Sequence, residues 1–129
     1  MTERTTGSER ERLPPMTHYV LGLLRRPPSC PPRTPAQADA LQEQHLAHLR
    51  RLREAGELIS VGPLEEDTPL RGVLIFRTEK VTRARELMRD DPLLAGGYLV
   101  LDLFTWFAPA GLMVEPPREV LPELTFQTD

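Results

Sequence analysis

Two histidines three positions apart, His45 and His48 in the stretch QEQHLAHLRRLREAG, are the residues of this chain best suited to moving a proton. An imidazole with an ordinary pKa of about 6.5 takes up and releases protons near neutral pH. It works best when a carboxylate fixes its tautomer, and the acids available by type are Asp90 and Asp91 in DDP and Asp102 inside the apolar run YLVLDLFTWFA. Charge alone does not choose among them. Asp102 is unusual because an acid within an apolar strand is costly to bury unless paired, although a solvent-exposed strand edge explains it equally well. Against the chemical reading stands a structural one, since a histidine on the inner face of a helix is more often a hydrogen-bonded core residue than a working one. No metal is expected, because an i, i+3 histidine pair without a nearby Glu or Cys is an incomplete ligand set. The single cysteine, Cys30 in PPSCPP, cannot form an internal disulfide and has neither CxxC spacing nor an adjacent histidine. Arg25 and Arg26, at the end of the first predicted strand, are candidates to hold an anionic substrate; the plainer reading is solvated surface charge.

The elements that must position these residues follow from the pattern of the chain. Its 129 residues make one domain, enough to bury roughly two-thirds of the unfolded surface. Charged residues make up 27% and hydrophobic ones 40%, a globular composition, and a net charge of −3 argues against a nucleic-acid footprint. The longest apolar stretch is far shorter than the roughly 20 residues that span a membrane, and the charged N-terminus lacks a signal peptide's apolar core. A cytoplasmic protein is the expectation. Residues 1–15 are polar and proline-terminated and read as a flexible tail; residues 110–129, proline-rich and acidic, read as a second tail or a dimer-contacting arm.

Between them, residues 16–109 read as the folded domain. THYVLGLLR supplies the β-branched and leucine residues of a strand, and the proline-rich RRPPSCPPRTP that follows is a surface loop in extended geometry. Thr34, Pro35 and Gln37 form a helix start with a capping box, and the helix stops at Gly56. ELISVGPL and GVLIFRT, separated by the polar break EEDTPLR, read as hairpin strands. Thr78 and Glu79 open a second helix carrying Val81, Ala84, Leu87 and Met88 at helical spacing, and DDP ends it. GGYLVLDLFTWFA is the last strand. The predicted order is β-α-β-β-α-β: an α+β, ferredoxin-like fold with a four-stranded antiparallel sheet and two helices on one face.

At about 100° per residue, Leu41, His45, His48, Leu49, Leu52 and Ala55 share one arc of the first helix, so both imidazoles point inward. The last strand has Tyr98, Val100, Phe104 and Trp106 on one side and Leu99, Leu101, Leu103 and Phe107 on the other. Both sides are apolar, so the sheet face away from the helices needs a cover, and a homodimer packed through that open face supplies it.

The segments YVL, EQHLAHLRRL with Gly56 and Leu58, Val61 to Leu64 (VGPL), and the Asp91-Pro92 step followed by Gly97 give the chain a resemblance. Over about residues 18 to 107 it resembles the YCII-related (YciI-like) proteins, which are similar in length and element order to muconolactone isomerase-like dimeric α/β barrels. The resemblance implies a ferredoxin-like dimer with an active site around a histidine, matched by His45, and an aspartate, matched by Asp91. His48 falls where arginine is frequent in the family, and with Arg25, Gly62 and Pro63 it is a candidate for substrate binding. Leu93 stands where an aromatic often follows the DP step, and the polyproline loop replaces a shorter polar connection. One branch of the family resembles a dehydrochlorinase of chlorinated hydroxyhydroquinone. The function implied is a cofactor-independent lyase or isomerase: Asp91 orients His45, which moves a proton on a cyclic, oxygenated small molecule. The alternative is a non-catalytic dimeric module that binds a ligand or serves structurally, with His45 a core residue. A haem-degrading or monooxygenase relative on the same barrel ranks below both, because fold alone does not confer function.

Overall fold

The computed structural model describes residues 15–112. Strand β1 (Met16–Arg25) leads into helix α1 (Pro35–Glu54), strands β2 (Leu58–Pro63) and β3 (Leu70–Phe76), helices α2 (Val81–Met88) and α3 (Pro92–Ala95), and strand β4 (Val100–Pro109). The strands form one antiparallel sheet in the order β2-β3-β1-β4, the ferredoxin-like topology expected from the sequence.

Local chemistry sets the ends of α1. The Thr34 hydroxyl accepts the Gln37 amide at 3.1 Å, while the Gln37 side chain accepts the Thr34 amide at 2.8 Å. Pro35, which has no amide proton to satisfy, fits the first turn. Such a box contributes about 1 kcal/mol. At the other end Gly56 takes φ 78°, a conformation that glycine adopts without steric cost, and the Glu57 amide returns to the Leu52 carbonyl at 3.0 Å.

Alternation along the strands divides the sheet into two faces. Val20 and Leu24 of β1 and Leu74 and Phe76 of β3 pack against Leu49 and Leu52 of α1 and Ala84 and Met88 of α2. Completely burying a side chain such as Leu74 or Phe76 contributes about 1.5–3 kcal/mol. Leu101 and Leu103 of β4 join that core, so the intervening Asp102, Phe104 and Trp106 turn to the other face. There Tyr19, Ile75 and Ala108 form a smaller buried cluster with Leu21, Ile59, Val73 and Leu112. Phe104 and Trp106 are 49% and 37% exposed, whereas Ala55 of the predicted helix arc lies at the cap and is exposed.

Three boundaries differ from the sequence reading. Helix α2 begins at Val81 because the Thr78 hydroxyl accepts the Lys80 amide and spends residues 78–80 on a turn. The DDP step does not simply end helical structure, since α3 follows it within the same turn of chain. Strand β4 starts at Val100, because the amides of Tyr98 and Leu99 both go to the Leu93 carbonyl and Gly97, at φ 81°, reverses the chain. Most of both predicted tails lies outside the described residues. Where they meet the domain, the Ala110 amide donates to the Pro15 carbonyl at 2.7 Å, and Leu112 packs on the open face. Among the described residues no helix is long and apolar enough to cross a membrane.

Candidate active site

The site is assembled where α1 passes α3. Helical spacing turns His45 and His48 inward together, and they are 3% and 8% exposed. Pro92 holds the preceding residue out of the helical region, so Asp91 sits at φ −64°, ψ 126° as the N-cap of α3. Its Oδ1 accepts the amides of Leu93 at 3.0 Å and Leu94 at 3.4 Å. The cap leaves Oδ2 directed at α1, where His45 Nδ1 lies at 2.6 Å and His48 Nδ1 at 3.1 Å. Asp91 is fully buried. His48 is held at its other nitrogen too, with Nε2 2.9 Å from the Leu87 carbonyl.

A carbonyl and an ionised carboxylate only accept, so each of the two His48 contacts is a hydrogen bond only when the ring nitrogen that makes it carries a proton. His45 needs one proton, on Nδ1, to donate to Asp91, and its Nε2 is then a lone pair without a partner among the described residues. Burial raises the Asp91 pKa and is the largest single influence. The hydrogen bonds from His45 and His48, the charge on a protonated His45 and the Leu93 amide together outweigh it and lower the carboxyl from 3.8 to about 2. The carboxylate therefore stays ionised and keeps the His45 tautomer fixed.

Residues 61–63 of β2 face this helix. Val61, Gly62 and Pro63 line a cleft with His45, Leu49 and Arg71, and its enclosed space is ≈ 20 Å³, on the order of one water. Next to it, sharing Arg71 and Leu99, a cavity of ≈ 190 Å³ opens under the polyproline loop, between Arg26, Arg33, Gln42, Leu93 and Tyr98. The loop is pinned there by the Arg33 guanidinium, 4.6 Å from the centre of the Tyr98 ring, and by Cys30 Sγ, 3.7 Å from the Tyr98 carbonyl.

The YCII-related domain model matches residues 19–106. The chain belongs to the YCII-related family. No curated protein matches it. Among solved structures, the 5-chloro-2-hydroxyhydroquinone dehydrochlorinase from Burkholderia phenoliruptrix AC1100, in complex with 2,5-dihydroxybenzoquinone, is similar at 18% identity, with a TM-score of 0.45, over 68% of this chain and 92% of that one.

In this YCII-related chain the candidate residues do not all meet. His45, His48 and Asp91 converge, and Gly62 and Pro63 line the cleft with His45. Arg25 does not join them: it alternates to the open face of the sheet, where its Nε donates to Asp102 Oδ2 at 2.7 Å. That pair places Arg25 away from the His45 cleft and accounts for the acid in β4. Asp90, next to Asp91, is exposed. His48 binds the same carboxylate oxygen as His45. Two features were missed in the sequence, α3 and Arg71. The first was masked by a DP step that also reads as a helix stop; the second closes the polar break EEDTPLR and gives no compositional sign of burial. Among the described residues no group of three or more His, Cys, Asp or Glu side chains is arranged to hold a metal ion.

Proposed function

We propose that this protein is a cofactor-independent enzyme of the lyase or isomerase type, in which His45 Nε2 moves a proton on a cyclic, oxygenated small molecule. The observation that carries the reading is the 2.6 Å bond from His45 Nδ1 to the buried Asp91 carboxylate, which leaves Nε2 as the free nitrogen of a residue lining the cleft. Asp91 does not take the proton. It keeps Nε2 basic by holding the other tautomer out, and it stabilises the imidazolium that forms when His45 accepts a proton. The proposal includes a homodimer, because Phe104 and Trp106 leave an apolar patch on the open sheet face that a second copy would cover.

A second reading has its own support. With His45 3% exposed and ≈ 20 Å³ of enclosed space beside it, the cleft admits no ring without widening, as suits a dimeric ligand-binding or structural module. Incubating wild type and His45→Gln in deuterated water with hydroxylated quinones, enolisable cyclic ketones and their chlorinated forms separates the two. NMR follows carbon-bound deuterium and free chloride. General acid–base loss predicts rates roughly 100-fold or more slower in H45Q while the fold persists. Full retained turnover in H45Q assigns the histidine to the core.

A further inference from the structure

Arg71 is the buried group that the proton-transfer reading leaves unused. Leu24 of β1 pairs with Gly72 and Arg25 with Leu70, so Arg71 is the extra residue of a β-bulge, a device that re-aims a side chain. Its neighbours in β3, Val73 and Ile75, turn to the open face, whereas Arg71 lines the wall between the His45 cleft and the ≈ 190 Å³ cavity. It is only 8% exposed. Nη1 donates to the carbonyls of Glu66 at 3.3 Å and Thr68 at 3.1 Å, which fixes the plane of the guanidinium. Nε is buried with no partner among the described residues, and no carboxylate of those residues forms an ion pair with Arg71. A buried cation without a counter-ion and a buried N–H without an acceptor are both costly. Both costs are met by one occupant, an anion with two coplanar acceptor oxygens on the edge formed by Nε and Nη2.

The cavity suits such an occupant. Arg26, Arg33 and Asp39 make up the charged part of its wall, while Leu93, Leu99 and the Tyr98 ring supply apolar surface. A volume of about 150 Å³ accommodates benzene, so ≈ 190 Å³ admits one substituted ring. We infer that this cavity is a carboxylate subsite anchored by Arg71, and that the ligand is a ring bearing a carboxylate. Resting on the proton-transfer proposal, this makes the substrate a cyclic acid, held by its carboxylate beside the wall that the cavity shares with the His45 cleft.

Benzoate, with benzamide as its neutral counterpart, is the probe. In NMR titrations of the wild-type protein, benzoate shifts the Arg71 Nε–H resonance and the Leu93 and Leu99 signals saturably. Benzamide binds roughly tenfold or more weakly, as does benzoate to Arg71→Gln. Arg71→Lys keeps the charge but loses the fork, and regains only part of the affinity. His45→Gln binds benzoate within about twofold of wild type, because anchoring does not use the imidazole. Absence of benzoate binding, a stationary Nε–H resonance at saturation, or equal affinity in folded R71Q overturns the subsite. The wild-type resonance tests the subsite even if R71Q fails to fold. Loss of the subsite with turnover intact, or turnover retained in H45Q with benzoate still bound, shows which of the two proposals has failed.

Discussion

Replacing Asp91 by asparagine changes one oxygen of a buried carboxylate to an amino group and leaves the other in place. The Leu93 and Leu94 amides keep their acceptor, so the cap of α3 survives. What goes is the negative charge between two imidazoles. Its worth follows from the lowering of the carboxyl from 3.8 to about 2, which at about 1.4 kcal/mol per tenfold amounts to about 2 kcal/mol. Because the folded-state value lies below the unfolded one, this stabilisation is present in full above pH 3.8 and disappears as the pH falls toward about 2. Urea denaturation followed by circular dichroism should find D91N less stable than wild type by about 2 kcal/mol near neutral pH. The two should converge as acid protonates Asp91. Asp91→Ala, which removes the cap as well, should cost about 1 kcal/mol beyond that. D91N also has a chemical consequence: an amino group offers protons where Oδ2 accepted them, so His45 Nδ1 becomes the acceptor and Nε2 carries the proton. Nitrogen-15 NMR of the imidazoles should therefore show the His45 tautomer inverted. A D91N protein as stable as wild type near neutral pH, with the His45 proton still on Nδ1, would refute this assignment of charges and protons.

Two further outcomes follow from the placement of other side chains. Arg25→Ala breaks an ion pair whose side chains are 39% and 35% exposed, so its cost should stay within about 1 kcal/mol, and benzoate affinity should be unchanged because Arg25 lies on the far face of the sheet; a tenfold loss of benzoate affinity would contradict that placement. Wild type should sediment as a dimer at equilibrium and Phe104→Glu with Trp106→Glu, which puts charge on the open face, as a folded monomer, whereas a monomeric wild type would remove the need for the second copy.

What was legible in the sequence was whatever is local or periodic. Thr34 and Gln37 announce the start of α1 because both bonds of the capping box lie within four residues, and the spacing of His45, His48, Leu49 and Leu52 alone turns them toward the core. The four segments that became strands carried enough β-branched and aromatic residues to be found, with ends displaced where turns consumed the backbone bonds of residues 78–80 and 96–99. The choice among Asp90, Asp91 and Asp102 was not legible from charge, since only the fold shows one exposed, one between two imidazoles and one paired with Arg25 across neighbouring strands. Arg71 was hidden for a different reason: its burial comes from a bulge in the pairing of β1 with β3, and register is a property of two strands that neither strand's sequence displays.

Asp91 shows why a helix-stop signal and a chemical site occupy the same two residues. A carboxylate beside two imidazoles is useful only if its direction is fixed, and a free aspartate side chain on a loop would rotate. Pro92 sets the backbone of Asp91, the amides of Leu93 and Leu94 capture Oδ1, and the remaining oxygen has one direction left, toward α1. The short helix α3 is thus a clamp on one oxygen atom, and four residues suffice because its task is to present two amides. Shifting Pro92 would leave the composition of the chain and its hydrophobic pattern untouched, yet it would free the carboxylate. Any function that depends on the His45 tautomer therefore depends on the position of that proline as much as on the acid before it.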